Sequence, residues 1–423
     1  MAPLTVIIPT YNRAALLSQS LSSLAEQSRR DFVVVIVDHG STDGTQALCE
    51  SFKRQINLDY YCIPRNANDP GLPRDFGVRH TKTPLIAFLD CGIVVPTYYI
   101  DAHIRFHQQN AHAVGIGLYH GHKITSIQDN RWNDLLAQVE RVDEASAFLP
   151  QDRSLRDHRA GARLEETPPF TWLYAWSGNM SMTTEDYWVT GGFDRDFIYG
   201  FEDCDLCYRL FKRGMQFHLV KDGWGIHLPH ARASLEKAKE LEYNGWKISY
   251  RKYSSLLLET VQYAGMNPKT ATQAFEYLTQ LGQHYQTFPS VPEQIHSRCT
   301  HPTLLIGATL DDAPFYDHIA VANEDVSPGA AIWSSSGILH PLPDNTLGIV
   351  VVTDLWKWLD VSFHPSSKSL LECLIAEVKR TAQQALFMHT PLLQYGDHEP
   401  ASVEKLSNLC SKHALPFNVC LLA

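Results

Sequence analysis

Long apolar runs, excess positive charge and paired cysteines are all missing from this chain of 423 residues. Nowhere do about 18 uncharged apolar residues follow one another, the length that a bilayer-crossing helix needs. The first ten residues, MAPLTVIIPT, put no basic segment ahead of an apolar stretch of signal-peptide length, so a cytoplasmic location is the expectation. Thirty-six basic residues against 46 acidic ones leave a formal charge of -10, which argues against the broad phosphate-binding surface of a nucleic-acid partner. Any anion held here must be gripped by a few local groups. The 9 cysteines are odd in number and lack framework spacing, so reduced thiols are expected. Cys204 and Cys207 form one CxxC with no second pair and with Asp205 and Leu206 in a helix-like run between them, which does not make a zinc site.

What is present is an ordinary folding composition, 44% apolar, 11% aromatic and 19% charged, long enough for two domains with separate cores. The first 95 residues alternate apolar runs with helical patterns: LTVIIPT, AALLSQSLSSLAEQS, FVVVIVD, TDGTQALCESFKR and PLIAFLD. Continuous β-branched runs separated by amphipathic helices read as buried parallel strands, and hence as a doubly wound α/β sheet. Such sheets bind ligands beyond the carboxyl ends of their strands. The segments to search are therefore Pro9-Thr10-Tyr11-Asn12, Asp38-His39-Gly40-Ser41 and Asp90-Cys91-Gly92, all polar and turn-forming.

From 96 to 170 the pattern loosens into a helix pair and an acceptor loop, passing His103, His107, His112, His120 and His122. Polar, chemistry-bearing residues return in WSGNMSM and in GGFDRDFIYGFEDCDLCYRLFKRG, and helices follow His227. The proline-punctuated FPSVPEQIHSRCTHP reads as a domain joint. The expected division is 1–230, a helical extension over 231–302, and a Rossmann-like α/β accessory domain over 303–423, where TLLIGATL, HIAVANE, LGIVVVTDLWKWL and FNVCLLA restart the strand-helix alternation. The order of this last part loosely resembles a methyltransferase domain. LIGATLDDAP lacks the closely spaced glycines that let a cofactor approach the backbone, so a docking or self-association role fits it better.

VIIPTYNR, IVDHGSTDGT, RDFGVRHTKTPLIAFLD and GGFDRDF followed by FEDCDLCYRL, in this order and spacing, resemble the inverting family 2 glycosyltransferases over residues 4–230. The later part is similar to galactosyltransferase and chondroitin-polymerase domains. The resemblance implies a GT-A fold, a UDP-sugar donor and Mn²⁺ or Mg²⁺. Asp38 ends a strand where a carboxylate can accept the imide N–H of uracil, and the resemblance adds Pro9, Thr10 and Tyr11 from the first loop. Helix capping is the structural alternative for Asp38, but Ser41 and Asp43 stand nearer the following helix. His39 departs from the family, which usually has an acidic residue there. Arg74 matches a family arginine near the diphosphate; with Arg79 and Lys82 it also reads as a solvated helix face.

Asp90 stands where the resemblance places a DxD-like metal motif, but Gly92 replaces the second carboxylate. His227 is implied as the partner ligand, with His230 its rival; one carboxylate, one imidazole, phosphate oxygens and water suffice for a hard cation. In GFEDCDLCYRLFKRG three acidic residues crowd a helix start. The resemblance makes Asp203 the base that deprotonates the acceptor hydroxyl, leaves Glu202 to orient sugar or acceptor, and leaves Asp205 for capping. Trp176 offers a flat face to a sugar ring, or is simply core, and Gly178 and Asn179 let the backbone approach that ring. The implied activity is transfer of a hexose from a UDP-sugar to a hydroxyl of a small-molecule acceptor. A growing polysaccharide or a peptide is the alternative acceptor, and a non-catalytic sugar-nucleotide sensor the alternative class.

Overall fold

Leu4–Thr10 (β1) and Phe32–Asp38 (β2) are β-branched runs with almost every residue buried, as a strand covered on both faces requires. They pair in parallel, with Thr10 opposite Asp38, so the loops that follow them leave one edge side by side. The computed structural model describes residues 3–65, 69–126, 128–129, 131, 155–161, 164, 169–197, 200–230, 244–246, 248–265, 267–285, 291–296, 302–321, 332–363, 368–390 and 399–421.

Two units form, Met1–Gly245 and Trp246–Ala423. In the first, Ala14–Ala25 (α1) follows β1, Thr45–Phe52 (α2) follows β2, and Gly71–His80 (α3) lies between Leu58–Cys62 (β3) and Leu85–Leu89 (β4). The short strand Ile93–Val94 (β5), the helix Tyr99–Gln109 (α4), and the strands Ala113–Ile116 (β6) and Tyr119–His120 (β7) come next. Asn179–Thr183 (β8), Thr184–Val189 (α5), Glu202–Lys212 (α6), Gln216–Leu219 (β9) and Gly225–His227 (β10) complete the unit. The main sheet has the order β3-β2-β1-β4-β8-β6-β9, in which β8 runs antiparallel to both β4 and β6. Strand order reverses between β1 and β4, so the predicted doubly wound sheet and its three polar strand ends are present. Edge strand β3 is absent from the sequence reading, because LDYYC mixes charge with half-buried tyrosines. One helix, α4, is described in the 96–170 stretch, and 132–154 lie outside the described residues.

A small sheet, β5-β10-β7, crosses the ligand edge. It sets His227 opposite Ile93, two residues past the Asp90-Cys91 turn, and Gly225 opposite Tyr119.

The second unit begins well before the proline-rich joint at 288–302. Helices Leu256–Tyr263 (α7) and Pro268–Tyr285 (α8) place Leu256, Leu278 and Leu281 in the same core as its strands, so that helical stretch is part of this unit. Its sheet is built from Thr303–Ile306 (β11), His318–Val321 (β12), Ile332–Ser334 (β13), Leu347–Val352 (β14), Ala382–His389 (β15) and Phe417–Leu421 (β16). All pairings are parallel, in the order β13-β12-β11-β14-β15-β16, the order of a Rossmann fold. At its switch point Gly307 (φ 75°) has no room: a Cβ there would run into the Thr353 hydroxyl and lie 2.9 Å from Leu355 Cβ.

Gly77 shows how tightly α3 sits on the first sheet, since a Cβ there would lie 2.5 Å from Ile7 Cγ2 and 3.4 Å from Val37 Cγ2. Gly77→Val is expected to lower stability by about 1–3 kcal/mol through overpacking. A urea midpoint for the first transition equal to that of the wild type would refute this packing.

Candidate active site

The first two loops are laced together before any ligand arrives. Asn12, at φ 48°, donates its N–H to Ser41 Oγ at 2.8 Å, and its side-chain oxygen accepts from Thr42 N at 2.8 Å. Asp43 Oδ2 accepts from Ala14 N at 2.8 Å, the first residue of α1, while α2 begins at Gly44 without a side-chain cap. Asp43 therefore bridges the two helix starts, since its other oxygen accepts from the Thr45 hydroxyl of α2 at 2.6 Å, while Ser41 takes the Asn12 N–H and does not cap α2. Asp38 is buried, with one carboxylate oxygen accepting from Ser41 N at 2.8 Å and the other from the Tyr60 hydroxyl at 2.7 Å. Thr10 is buried and donates to Cys91 Sγ, 3.6 Å away. Pro9 stands beside it in β1, and Tyr11 is exposed with the Arg65 guanidinium 3.6 Å above its ring. His39 is buried with Nε2 lacking a partner among the described residues; burial, and then Arg65, lower its pKa, so the ring is neutral at pH 7.

Arg74 is not a solvated charge. It is 5% exposed, donates to Asp90 Oδ1 at 2.5 Å and to the Pro70 carbonyl at 2.7 Å, and leaves Nε buried without a partner among the described residues. The turn holding Asp90 is fixed by its N–H to the Gly178 carbonyl at 2.8 Å. Gly178 is the residue that makes room: a Cβ there would lie 3.0 Å from Asp90 Oδ2 and 3.1 Å from the Tyr119 hydroxyl. Gly92, at φ 96°, aims its missing Cβ at Leu16 of α1, so a side chain at this position would not join Asp90. The Gly92 carbonyl instead accepts from Leu228 N at 2.8 Å, which together with the β5–β10 pairing brings His227 to this edge. His227 is buried, its ring 5.8 Å from Tyr119 and 4.9 Å from His230. Among the described residues no group of three or more His, Cys, Asp or Glu is placed to hold a metal ion. Asp90 and His227 would need a substrate to complete a coordination shell, which is how Mg²⁺ is usually held.

Helix α6 starts from Gly200 (φ 74°) and Phe201 (φ 119°), the latter a non-glycine residue in the left-handed region and thus a strained lead-in. Asp203 follows, partly exposed, accepting from Cys204 N at 2.9 Å and Ser177 N at 3.4 Å. Burial raises its pKa, Arg74 opposes the rise and Asp90 adds to it. Glu202 is 8% exposed and also raised, first by burial and then by Asp203, and its Oε2 has no partner among the described residues. Asp205 does not act as a cap. It is buried and paired with Arg209 at 2.7 Å, and Arg209 also binds the Thr190 and Gly192 carbonyls at 2.8 and 2.9 Å.

Residues absent from the sequence reading complete the site. Asp75, next to Arg74, accepts from Phe193 N at 3.0 Å, from the Tyr187 hydroxyl and from Arg195. Gly192 must be glycine, at φ 82° with a Cβ position 2.7 Å from Asp75 Oδ1. An acidic residue on an apolar helix face was the one available signal for Asp75. Trp176 is partly exposed, whereas the Asn179 side chain is core, held by Tyr99, Leu118 and Gly223, and does not line the ring site. The five histidines from 103 to 122 scatter: His103 and His107 both bind Ser181 Oγ at 2.8 Å, His112 faces Asp186, and His120 meets Trp224. His122 alone of these reaches Trp176.

A doubly wound sheet whose reversal point gathers Arg74, Asp90 and an acidic helix start has the architecture expected of a GT-A glycosyltransferase. Residues 5–158 match Glycosyl transferase family 2, and residues 165–231 match the family described as N-terminal domain of galactosyltransferase. A validoxylamine A glucosyltransferase of Streptomyces hygroscopicus subsp. jinggangensis is 30% identical over 386 residues, 83% of this chain and 90% of the relative. That span exceeds the first unit, so the shared sequence runs into the second. Chondroitin synthase of Escherichia coli is 22% identical over 53% of the chain and 34% of its own length. Among solved structures, S. aureus TarS 1-349 superposes with a TM-score of 0.40 at 16% identity, covering 70% of this chain and 82% of that one. The chain belongs to glycosyltransferase family 2, and is an inverting glycosyltransferase. No helix among the described residues is long and apolar enough to cross a membrane.

Gly178→Ala is expected to displace Asp90 and cut transfer by at least about tenfold while costing little stability, since the clash lies with movable side-chain ends. Unchanged kinetics would refute the close approach. Glu202 carries a raised pKa, so the folded state loses stability as pH climbs from the ordinary carboxylate range through the raised value. The melting temperature of Glu202→Gln relative to the wild type should therefore increase between pH 5 and 8, and a flat difference would contradict it.

Proposed function

We propose that this enzyme moves a hexose from a UDP-sugar to a hydroxyl of a small-molecule acceptor, with Asp203 as general base. The observation that carries the reading is the convergence of Arg74, Asp90, Glu202 and Asp203, with buried orphan atoms on Arg74 (Nε) and Glu202 (Oε2), at the sheet edge where a ligand belongs. Pro9, Thr10, Tyr11 and Asp38 frame the uracil, and Arg74 faces the diphosphate. Asp90 and His227 would hold Mn²⁺ or Mg²⁺, a cation that supplies charge neutralisation at the diphosphate when bound. Trp176 and Gly178 lie against the sugar rings.

The acceptor hydroxyl gives its proton to the Asp203 carboxylate as its oxygen bonds to the anomeric carbon. The bond from that carbon to the diphosphate oxygen breaks, and UDP leaves with the electron pair. Burial makes Asp203 more basic than an ordinary carboxylate, and the Arg74 charge beside it opposes that rise. Glu202 orients the reacting groups beside it. A small-molecule acceptor is supported by the validoxylamine A glucosyltransferases, which align over 90% and 84% of their lengths, where chondroitin synthase aligns over 34%.

Asp203→Asn should lower transfer by about 10²–10⁴-fold with UDP affinity preserved. Wild-type rates in that variant would end the base assignment. Chelation should lower cleavage of the donor, and Mn²⁺ should restore it; insensitivity would remove Asp90 and His227 as ligands.

A further inference from the structure

Beside Asp203, Trp176 belongs to a cluster of rings whose other members have had no role so far. Tyr119 in β7, His122 after it, His158 and Trp176 come from three separate stretches of chain. The Trp176 ring is 5.2 Å from His158, 5.9 Å from Tyr119 and 6.1 Å from His122, and the two imidazoles are 6.1 Å apart. Trp176 and His122 are partly exposed and His158 is exposed, so the cluster has an open side.

Its underside is a fully buried ion pair. The Arg159 guanidinium lies 4.0 Å from the Trp176 ring and 4.9 Å from that of Tyr119. Arg159 donates to both oxygens of Asp157, at 3.0 and 2.6 Å, and both side chains are 0% exposed. It also binds the Tyr174 carbonyl at 2.7 Å and the Gly117 carbonyl at 3.3 Å. Its charge is thus spent, and cation–π contact holds the indole in place. Asp157 in turn accepts from Tyr119 N at 3.0 Å and gives its own N–H to His120, anchoring β7 to the same support.

The cluster adjoins the reacting groups. Ser177, the neighbour of Trp176, donates its N–H to Asp203, and the Tyr119 hydroxyl lies 3.1 Å from the Gly178 Cβ position that is 3.0 Å from Asp90.

We propose that Trp176, His122 and His158 form the acceptor subsite, and that it takes an uncharged six-membered polyol ring laid flat on the indole. This rests on the transferase reading above. A flat, partly exposed indole with few convergent polar groups is what the apolar face of a saturated ring with equatorial hydroxyls fits. His122 Nδ1, 3.3 Å from the Tyr119 carbonyl, must be the donor in that contact, so Nε2 is an acceptor for a hydroxyl. Burial lowers the pKa of both imidazoles, to about 4 for His122, so neither supplies charge at pH 7. The carboxylates Asp90, Glu202 and Asp203 outnumber the cations Arg74 and Lys123, the latter acting on His158 through space, and Arg159 is already neutralised by Asp157; a carboxylated ring would meet net repulsion.

The test measures kcat and KM at saturating UDP-hexose, using whichever one the wild type cleaves. Three acceptors are compared: a methyl hexopyranoside, the matching methyl hexuronide and an open-chain hexitol. The wild type should favour the neutral ring by about tenfold or more in kcat/KM. Trp176→Ala should raise the KM for that ring by about tenfold with kcat much less affected, and Trp176→Phe should recover most of the loss by restoring a flat face. His122→Ala should raise the same KM by about threefold to tenfold, the loss of one hydrogen bond. Equal use of the hexuronide, or a ring KM within about twofold of wild type in Trp176→Ala, would overturn the subsite. A wild type that cleaves no UDP-hexose would instead overturn the transferase reading, and the subsite with it.

Discussion

One guanidinium sets the electrostatics of the candidate site. Arg74 touches Asp90 directly and acts on Glu202 and Asp203 through space, so a single buried cation holds together three carboxylates that would otherwise repel each other. It is buried because helix α3 sits tightly on β1 and β2, which glycine at 77 allows. Its compensation is incomplete. Asp203 and Glu202 both remain raised by burial, and orphan polar atoms persist on Arg74 and Glu202. A structure that tolerates such atoms beside like charges is one completed by a ligand.

The neighbouring residue on α3 extends the same constraint. Asp75 grips Phe193, Tyr187 and Arg195, while Asp205 and Arg209 hold the Thr190 and Gly192 carbonyls, so the Gly191-Gly192 turn is clamped by two ion pairs. The chain leaving that turn carries the strained Phe201 and then the two acidic residues at the head of α6. Arg74 and the lead-in to Asp203 are thus tied to adjacent residues of one helix. The energy stored at Phe201 is tolerated because both sides of the loop are over-determined.

The strand order of the second unit is that of a dinucleotide-binding domain, and at its switch point Thr353 and Leu355 crowd the position a side chain at Gly307 would take. Beyond the switch point, Lys357 pairs with Asp354 at 2.7 Å, and Asp354 accepts from both Thr390 N and its hydroxyl. Protein groups satisfy one another there. The loop over Ser335, Ser336 and Leu339 is likewise closed by Glu259 of α7, a reason the helical stretch folds with this unit.

The sequence by itself determined strands β1, β2 and β4 of the first sheet, β11, β12, β14 and β16 of the second, and the order of motifs that carries Arg74, Asp90 and Asp203. Those features are local: continuous apolar runs, turn residues and an acidic helix start act within a few positions. It also pointed to His227, though the reason for its position, a three-stranded sheet joining β5, β10 and β7, has no local signal. Tertiary structure alone decided which of five histidines meets Trp176, that Gly92 faces α1, that Asp43 also ties down the earlier helix, and that Asp205 belongs to Arg209. Each of these depends on which distant chain lies alongside, and a polar side chain's partner is set by proximity in space and by the need to satisfy every buried donor and acceptor.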